Sequence, residues 1–271
     1  MAWINLDGKR FYYGTGGKGW EPELPAVVFV HGAGGDHTVW NLQTRALAHA
    51  GWNVMALDCP GHGASDDLAE LTTVEQLADW LVAMLDAAGL ERVSLVGQSL
   101  GAGVALTVAG QHPDRVQALA LVGTSLTMPV NEQLLHDTLH DQPAAVDFIT
   151  GFGLDRRYQL GASPAPGMWM VGSVRALLLR CPPAMLHRDF KIVGGWDGAP
   201  YAAKVAAPTL VIAGENDRMT PAKNGKAMAV AIAGAEYLQL PGIGHMLPNE
   251  APREVMKALR TFLAAQCRQA A

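Results

Sequence analysis

Apolar residues are spaced in two alternating ways along this chain. Short runs of apolar residues, typical of buried strands, are separated by stretches in which apolar positions recur every three or four residues, as in helices. The strand-like runs are 26–30, 52–57, 92–96, 116–122, 209–213 and 237–240. The helical patterns are 39–50, 74–88, 102–111 and 252–266. This alternation predicts βαβ units around a parallel sheet, so the fold class is α/β.

Two local signals add detail to this pattern. Asp7 and Gly8 lie between the strand-like segments 3–6 and 9–13, and an Asp-Gly pair supplies the positive φ angles of a tight hairpin turn. The chain should therefore begin with antiparallel strands. Thr73 and Gln76 have the spacing of a capping box, which predicts a helix start at residue 74.

The interval between Ser99 and Asp217 is too long for the number of βα units expected there. Ser99 and Asp217 are 118 residues apart, whereas two βα units need roughly 60 residues. We expect residues 125–203 to form an inserted helical cap and residues 1–124 and 204–271 to form the core domain. A proline- and glycine-rich break at 161–167 divides two helical patterns inside the insertion.

Composition limits the classes of partner. The chain has 271 residues, 49% of them hydrophobic, and a formal charge of -5. The hydrophobic fraction is large enough for a substantial core, and the negative charge gives no positive electrostatic potential to attract polyanions. We therefore expect a small neutral or apolar substrate rather than nucleic acid or a membrane. Oligomeric state stays open. No apolar window reaches the roughly 20 residues that span a bilayer, and no leader-like stretch begins the chain, so we expect a cytoplasmic protein.

The cysteines carry no recognisable site. Cys59, Cys181 and Cys267 are odd in number and far apart. This arrangement fits neither a disulfide framework nor a metal motif, so reduced thiols are expected.

The segment 97–101, Gly-Gln-Ser-Leu-Gly, is the first candidate for chemistry. A serine hydroxyl can attack a carbonyl when it projects from a sharp strand-to-helix turn, and glycines on either side remove Cβ atoms that would collide there. With 30 glycines in the chain, the bare pattern is weak. Its position between a strand-like run and a helical pattern makes Ser99 a candidate nucleophile.

A serine nucleophile needs a base, and the base needs an acid that fixes its tautomer. His245 follows the last strand-like run, and Asp217 follows the one before it. Both should lie at the carboxyl edge of the sheet, although Asp58 and Asp197 are other carboxylates that could approach the base.

The glycine-dense segment 29–35 is a candidate oxyanion loop, because backbone N–H groups can point inward there without obstruction. The amides of Ala33 and Leu100 are the expected donors, each contributing about 2.7 to 4 kcal/mol to transition-state stabilisation. The segment 58–65 follows another strand-like run, and we expect it to support the site structurally, with His62 as a stabiliser of its loop. Because no two histidines pair with a carboxylate at a metal spacing, no metal is expected.

Together these motifs resemble those of the α/β-hydrolase superfamily, and within it those of the capped, single-domain serine hydrolases. The resemblance extends over almost the whole chain. The motifs are His31-Gly32 with the following glycines, Asp58-x-Pro-Gly-His-Gly-x-Ser65, Gly97-x-Ser-x-Gly101, Gly214-x-x-Asp217 with Pro221, and Gly244-His245. The resemblance implies an eight-stranded, mostly parallel sheet with a helical cap after strand 6. It also implies a Ser99/His245/Asp217 triad and no cofactor. Relatives with an aspartate nucleophile are disfavoured because Ser99 occupies the elbow.

Large apolar residues in and around the insertion suggest an apolar substrate pocket under the cap. The candidate substrate-binding residues are Trp40, Met128, Phe152, Met168, Trp169, Trp196 and Met246. For Trp40, packing in the core is the simpler explanation. For the candidate residues in the insertion, packing that attaches the cap to the core domain is an equal alternative.

The hypothesis from sequence is a carboxylic ester hydrolase that works through an acyl-enzyme. Cleavage of a lactone, a thioester or a carbon-carbon bond by the same triad is the alternative among enzymes. Gln98 and Met246 disfavour the carbon-carbon hydrolases, in which we expect asparagine before the nucleophile and an aromatic residue after the histidine. A ligand-binding or receptor protein that keeps the fold without turnover is the alternative from another class.

Overall fold

Eight strands form one sheet in the computed structural model, which describes residues 2–164 and 167–269. The strands are β1 (Ala2–Leu6), β2 (Lys9–Gly14), β3 (Ala26–Val30), β4 (Asn53–Leu57), β5 (Val93–Gln98), β6 (Val116–Val122), β7 (Thr209–Gly214) and β8 (Glu236–Leu240). Their order across the sheet is β1-β2-β4-β3-β5-β6-β7-β8. The pairs β1/β2 and β2/β4 are antiparallel and the other pairs are parallel. The predicted α/β class and mostly parallel sheet are confirmed.

Helices cover both faces of this sheet. They are α1 (Asn41–His49), α2 (Val74–Ala87), α3 (Leu100–Gln111), α4 (Glu132–His140), α5 (Gln142–Gly153), α6 (Arg156–Gln159), α7 (Met170–Arg180), α8 (Pro183–Gly194), α9 (Ala199–Ala202), α10 (Ala222–Ala231), α11 (Leu247–Glu250) and α12 (Pro252–Gln269). Alternate residues of a strand face opposite sides. Val28 and Val30 accordingly join the core beneath α2, α3 and α10, whereas Val27 and Phe29 join the core beneath α1 and α12.

The two local signals are confirmed. Leu6 pairs with Lys9 across the first turn, where Asp7 and Gly8 have φ angles of 49° and 82°. The side chain of Thr73 accepts a hydrogen bond from the Gln76 amide, and the Gln76 side chain reaches back to the Thr73 amide. These contacts start α2 at the expected residue.

Among the described residues of the insertion between β6 and β7 there are six helices, α4 to α9, where the sequence indicated two helical patterns. Ala165 and Pro166 of the expected break lie outside the described residues. The cap boundaries at 125 and 203 stay a prediction. Helix α10 was not predicted from the sequence, because its segment has a glycine at position 225 and three buried positions, which gives a weak helical pattern.

Two further observations concern expectations from composition. Cys59, Cys181 and Cys267 are free thiols, and the first two are buried. Within the described residues, no helix combines the length and the apolar character needed to cross a bilayer.

Candidate active site

Ser99 lies where β5 ends and α3 begins. Its φ and ψ angles are 53° and -119°, a backbone conformation that residues with a Cβ atom rarely adopt. A Cβ at Gly97 would collide with the backbone of Gly101, and a Cβ at Gly101 would collide with the carbonyl oxygens of Val30 and His31. Glycine is therefore required at both positions for the turn to hold Ser99 at the edge of the sheet.

His245 and Asp217 lie on neighbouring loops after β8 and β7. The Nδ1 atom of His245 is 2.8 Å from Oδ2 of Asp217, and both side chains are buried. The other carboxylate oxygen of Asp217 accepts hydrogen bonds of 2.8 Å from the amides of Met219 and Thr220. The Thr220 hydroxyl donates to Oδ2 at 2.7 Å. The carboxylate is thus fixed in position and accepts the Nδ1–H of the imidazole, which leaves Nε2 for a proton from a nucleophile.

Electrostatics favours a protonated imidazole at this position. Burial lowers the pKa of His245, but the charge and hydrogen bond of Asp217, with the charge of Glu250, outweigh it, and the pKa is raised above 6.5. Burial raises the pKa of Asp217, but the nearby His245 and the hydrogen bonds to the carboxylate outweigh it, and the pKa is lowered below 3.8. Asp217 is therefore ionised at neutral pH and stabilises the imidazolium that forms when His245 accepts a proton.

Glu250 holds the loop that carries His245. Its buried carboxylate accepts hydrogen bonds of 2.9 Å from the amides of Gly244, Met246 and Asp155. Two of these donors flank His245 in sequence, and the third belongs to the insertion. Sequence reasoning missed Glu250, because the Glu250 to Asp155 contact joins positions 95 residues apart.

The backbone of His245 is also fixed on both sides. Its amide donates to the carbonyl of Gly153 at 2.6 Å, and its carbonyl accepts from the side-chain amide of Gln98 at 3.1 Å. Gly153 belongs to the insertion and Gln98 precedes the candidate nucleophile. His245 is therefore tied both to the turn that carries Ser99 and to the insertion.

The candidate oxyanion loop lies against the elbow. A Cβ at Gly32 would be 3.3 Å from the Cβ of Ser99, and Ala33 lines the same pocket as Ser99. Leu100 is the first residue of α3, so its N–H has no partner within the helix. The oxyanion roles of Ala33 and Leu100 stay predictions.

A buried ion pair supports this loop from the cap. Oδ2 of Asp189, on α8, accepts a 2.8 Å hydrogen bond from the Gly34 amide and lies 3.0 Å from Nε2 of His62. Burial lowers the pKa of His62, but the charge of Asp189 outweighs it, and the pKa is well above 6.5. The other ring nitrogen of His62 lies 3.1 Å from the Pro60 carbonyl of its own loop, so His62 connects that loop to the insertion beside the oxyanion loop.

A cavity of about 190 Å³ opens beside Ser99 and His245. Of the predicted substrate-binding residues, Met128, Phe152 and Met246 line it. Further apolar lining comes from Val39, Leu134, Phe148, Ile149, Leu178 and Met219. The structure thus places an apolar pocket beside Ser99 and His245.

Four predicted substrate-binding residues do not line this cavity. Trp40 is fully buried against Phe29, with its indole N–H 3.3 Å from the Val30 carbonyl. Trp196 is buried in the core and donates to the Thr107 hydroxyl at 3.2 Å. Trp169 is 67% exposed. Met168 is half-buried against the apolar core outside the pocket lining. Core packing therefore explains both buried tryptophans.

The alternative carboxylates have other partners. Asp58 accepts hydrogen bonds from the backbone and ring of His37 at 2.8 Å and from the Ala64 amide at 2.9 Å. Asp197 accepts from the Ala199 amide at 3.0 Å, at the start of α9. Within the described residues, Asp217 is the carboxylate that pairs with His245.

Asp36, His37 and Asp58 have ligand-type atoms within 4.8 Å of one another. Hydrogen bonds already engage them, because Asp36 also accepts from Thr38 and from Arg180. Three atoms are also fewer than a closed structural zinc site requires. We therefore interpret this cluster as a brace of the loop that follows β3.

Known proteins resemble the chain over most of its length. A family model described as alpha/beta hydrolase fold matches residues 25–154, and another, described as TAP-like protein, matches residues 195–268. The pyrrolizixenacetamide deacetylase of Xenorhabdus hominickii is 29% identical and covers 98% of this chain and 99% of its own. The putative carbamate hydrolase RutD of Klebsiella pneumoniae (strain 342) is 30% identical over 83% of this chain and 85% of the relative. The crystal structure of the enol-lactonase from Burkholderia xenovorans LB400 has the same fold, with a TM-score of 0.88 and 23% identity over 97% of this chain and 100% of that chain.

Proposed function

Because this chain belongs to the α/β-hydrolase superfamily, we propose that it cleaves a carboxylic ester of a small, largely apolar substrate through an acyl-enzyme on Ser99. The chain is a hydrolase, like the deacetylase and the putative carbamate hydrolase that it resembles. The observation that supports an acyl-enzyme on Ser99 is one pocket lined by both Ser99 and His245, with Asp217 hydrogen-bonded to the far side of the imidazole. This is the arrangement that nucleophilic acyl transfer requires.

The proposed reaction has two halves. In the first, the Ser99 hydroxyl oxygen attacks the ester carbon as His245 takes its proton, and the amides of Ala33 and Leu100 stabilise the oxyanion. Collapse of the tetrahedral species breaks the bond to the alcohol, which leaves with the proton from His245. In the second half, water loses a proton to His245, attacks the acyl-enzyme and releases the acid, and Ser99 recovers its proton.

A fluorophosphonate probe tests the nucleophile. We expect the probe to label the wild type and not Ser99→Ala. Ser94→Ala is the matched control, because Ser94 lies on the strand that leads to Ser99, is buried, and has a hydroxyl with no hydrogen-bond partner within the described chain. Equal labelling of wild type and Ser99→Ala, or no labelling of a folded wild type, would reject the serine-hydrolase proposal.

A panel of substrates tests the bond type. We expect the highest kcat/KM for nitrophenyl or alkyl esters compared with lactones and thioesters of the same acyl group. A consistent preference for a lactone or a thioester would replace the ester proposal without affecting the triad. A 1,5-diketone belongs in the panel as the carbon-carbon substrate.

Hydrolysis of an acetamide or a carbamate is a second candidate. Two relatives with extensive coverage are named as a deacetylase and as a putative carbamate hydrolase. The raised pKa of His245 suits such a substrate, because an amine leaving group must be protonated by the imidazolium as the bond breaks. Anilides and carbamates matched to the esters in acyl group would separate the two candidates by kcat/KM.

A further inference from the structure

Arg218 is a charged side chain at the edge of the apolar pocket. It follows Asp217 on the loop after β7, is exposed, and lines the same cavity as Ser99 and His245. Its guanidinium lies over the Phe152 ring, 4.5 Å from the centroid, and donates a hydrogen bond to the Gly151 carbonyl. Two contacts with α5 therefore hold the cation in place, which lowers the conformational entropy lost when it binds an anion.

This cation has no acidic partner in the part of the chain that the structure describes. Arg180 and Arg188, on the insertion helices α7 and α8, pair with Asp36 and Asp67 at 2.7 Å. Arg218 forms no such pair, and the neighbouring Asp217 is turned toward His245 and Thr220. The pocket lining, within the same described residues, includes no aspartate or glutamate. Arg218 is thus an uncompensated positive charge in a protein with a formal charge of -5.

We propose that Arg218 binds a carboxylate on the substrate, at the end of an apolar segment that separates it from the scissile bond. Phe152, Met219 and Met246 line the pocket together with Arg218 and Ser99, and they would contact that segment. The planar guanidinium can donate two parallel hydrogen bonds to a carboxylate. One cation matches one negative charge, which favours a carboxylate over a phosphate. The inferred substrates are monoesters of dicarboxylic acids, or esters whose alcohol carries the acid.

This inference rests on the proposed function, and the test separates the two. The substrates are methyl monoesters of straight-chain dicarboxylic acids, paired with analogues in which a neutral primary amide replaces the free carboxylate. Acetate esters of hydroxy acids, with matching amides, form a second arm for a carboxylate on the alcohol side. A phosphate monoester of the corresponding hydroxy ester forms a third. Initial rates are followed in a pH-stat at constant pH.

We expect the wild type to prefer the carboxylate over the amide by about twofold to fivefold in kcat/KM in one of the first two arms. The factor is modest because Arg218 is exposed to solvent. Most of the difference should lie in KM, and raising the salt concentration should reduce it. The readout is the ratio of kcat/KM for the carboxylate to that for the neutral amide, measured within each variant. Arg218→Gln should bring this ratio to about one, Arg218→Lys should keep part of the wild-type preference, and Arg218→Glu should reverse it.

Arg10→Gln is the matched control. Arg10 also lies over an aromatic ring, that of Trp3 at 5.1 Å, and its loss changes the net charge equally, but it is outside the pocket lining. This variant should keep the wild-type preference. Equal kcat/KM for carboxylate and amide, with normal hydrolysis of both, would overturn the subsite and leave the proposed function intact. A larger preference for the phosphate than for the carboxylate would also overturn it. If a folded wild type hydrolyses none of these esters and Ser99 is not labelled, the proposed function fails and the inference fails with it.

Discussion

Replacement of Glu250 by glutamine tests whether the loop of the base is held by one carboxylate. Oε2 of Glu250 accepts from the amides of Asp155 and Gly244, and Oε1 accepts from the amide of Met246. A glutamine can keep its single oxygen at the first position, but its NH₂ group then faces the Met246 N–H. Glu250→Gln therefore leaves an N–H donor unpaired and converts two charge-assisted hydrogen bonds into neutral ones.

The structure sets the magnitude of this effect. An unpaired buried donor costs about 1–3 kcal/mol, and each weakened bond about 1 kcal/mol. Relief of the buried charge, which burial penalises enough to raise the pKa of Glu250 above 4.5, offsets part of this loss. We expect a decrease of about 2–3 kcal/mol in the free energy of unfolding at pH 7, which corresponds to a decrease in Tm of about 4–10 °C.

Activity gives a second readout. The charge of Glu250 contributes to the raised pKa of His245, so its removal should move the acid limb of the kcat/KM profile to lower pH. Urea unfolding and the pH profile of ester hydrolysis measure the two effects. Glu254→Gln is the control, because Glu254 is an exposed acid on the next helix. If the two variants have the same stability and the same acid limb, Glu250 does not hold the loop and the reasoning is refuted.

Three further outcomes follow from the same contacts. Gly101→Ala should fail to give folded protein, whereas Gly103→Ala should fold, because the nearest atoms to its Cβ would be those of the Trp196 ring at 3.4 Å, an ordinary contact distance. Soluble yield and circular dichroism compare the two variants, and a folded Gly101→Ala would contradict the elbow geometry. Asp189→Asn should lower stability by about 3 kcal/mol. The pKa of Asp189 is lowered and that of His62 is raised, so the loss should be largest between about pH 4 and about pH 6.5, near the ordinary pKa values of the two groups, and should shrink as the pH rises from there through the raised pKa of His62. An unfolding series with the same loss at every pH would argue against the ion pair. The proposed reaction needs neutral His245, and the pKa of His245 is raised above 6.5. We therefore expect kcat/KM to increase with pH along a titration curve whose midpoint lies above 6.5. A midpoint below 6.5 would contradict the proposed role of Asp217.

The residues that the sequence identified share one property: each follows a strand directly. Ser99, Asp217 and His245 come after β5, β7 and β8, and parallel strands bring their carboxyl ends to one edge. Their neighbourhood could therefore be predicted from local patterns alone. The eight-stranded sheet followed from the same patterns together with the resemblance.

The residues that the sequence missed depend on contacts between distant positions. Asp189 meets Gly34 across 155 residues of sequence, and nothing local to Asp189 indicates that partner. Two tryptophans, by contrast, were named as candidate pocket residues and lie outside the pocket. A large apolar side chain suits a protein core as well as a substrate pocket, so the sequence cannot distinguish the two locations for Trp40 and Trp196. The structure shows Trp40 packed against Phe29 and Trp196 packed against α3, both in the core.

The hydrogen bonds from the insertion to the loop of His245 constrain how caps can be exchanged between relatives. Gly153 and Asp155 end one cap helix and precede the next, and their backbone groups bond to His245 and Glu250. A chimera that imports a foreign cap across this segment would exchange the pocket lining and displace His245 in the same step. Grafts that keep residues 153–155 and replace the helices before or after them would allow substrate range to diverge while the catalytic machinery is inherited unchanged.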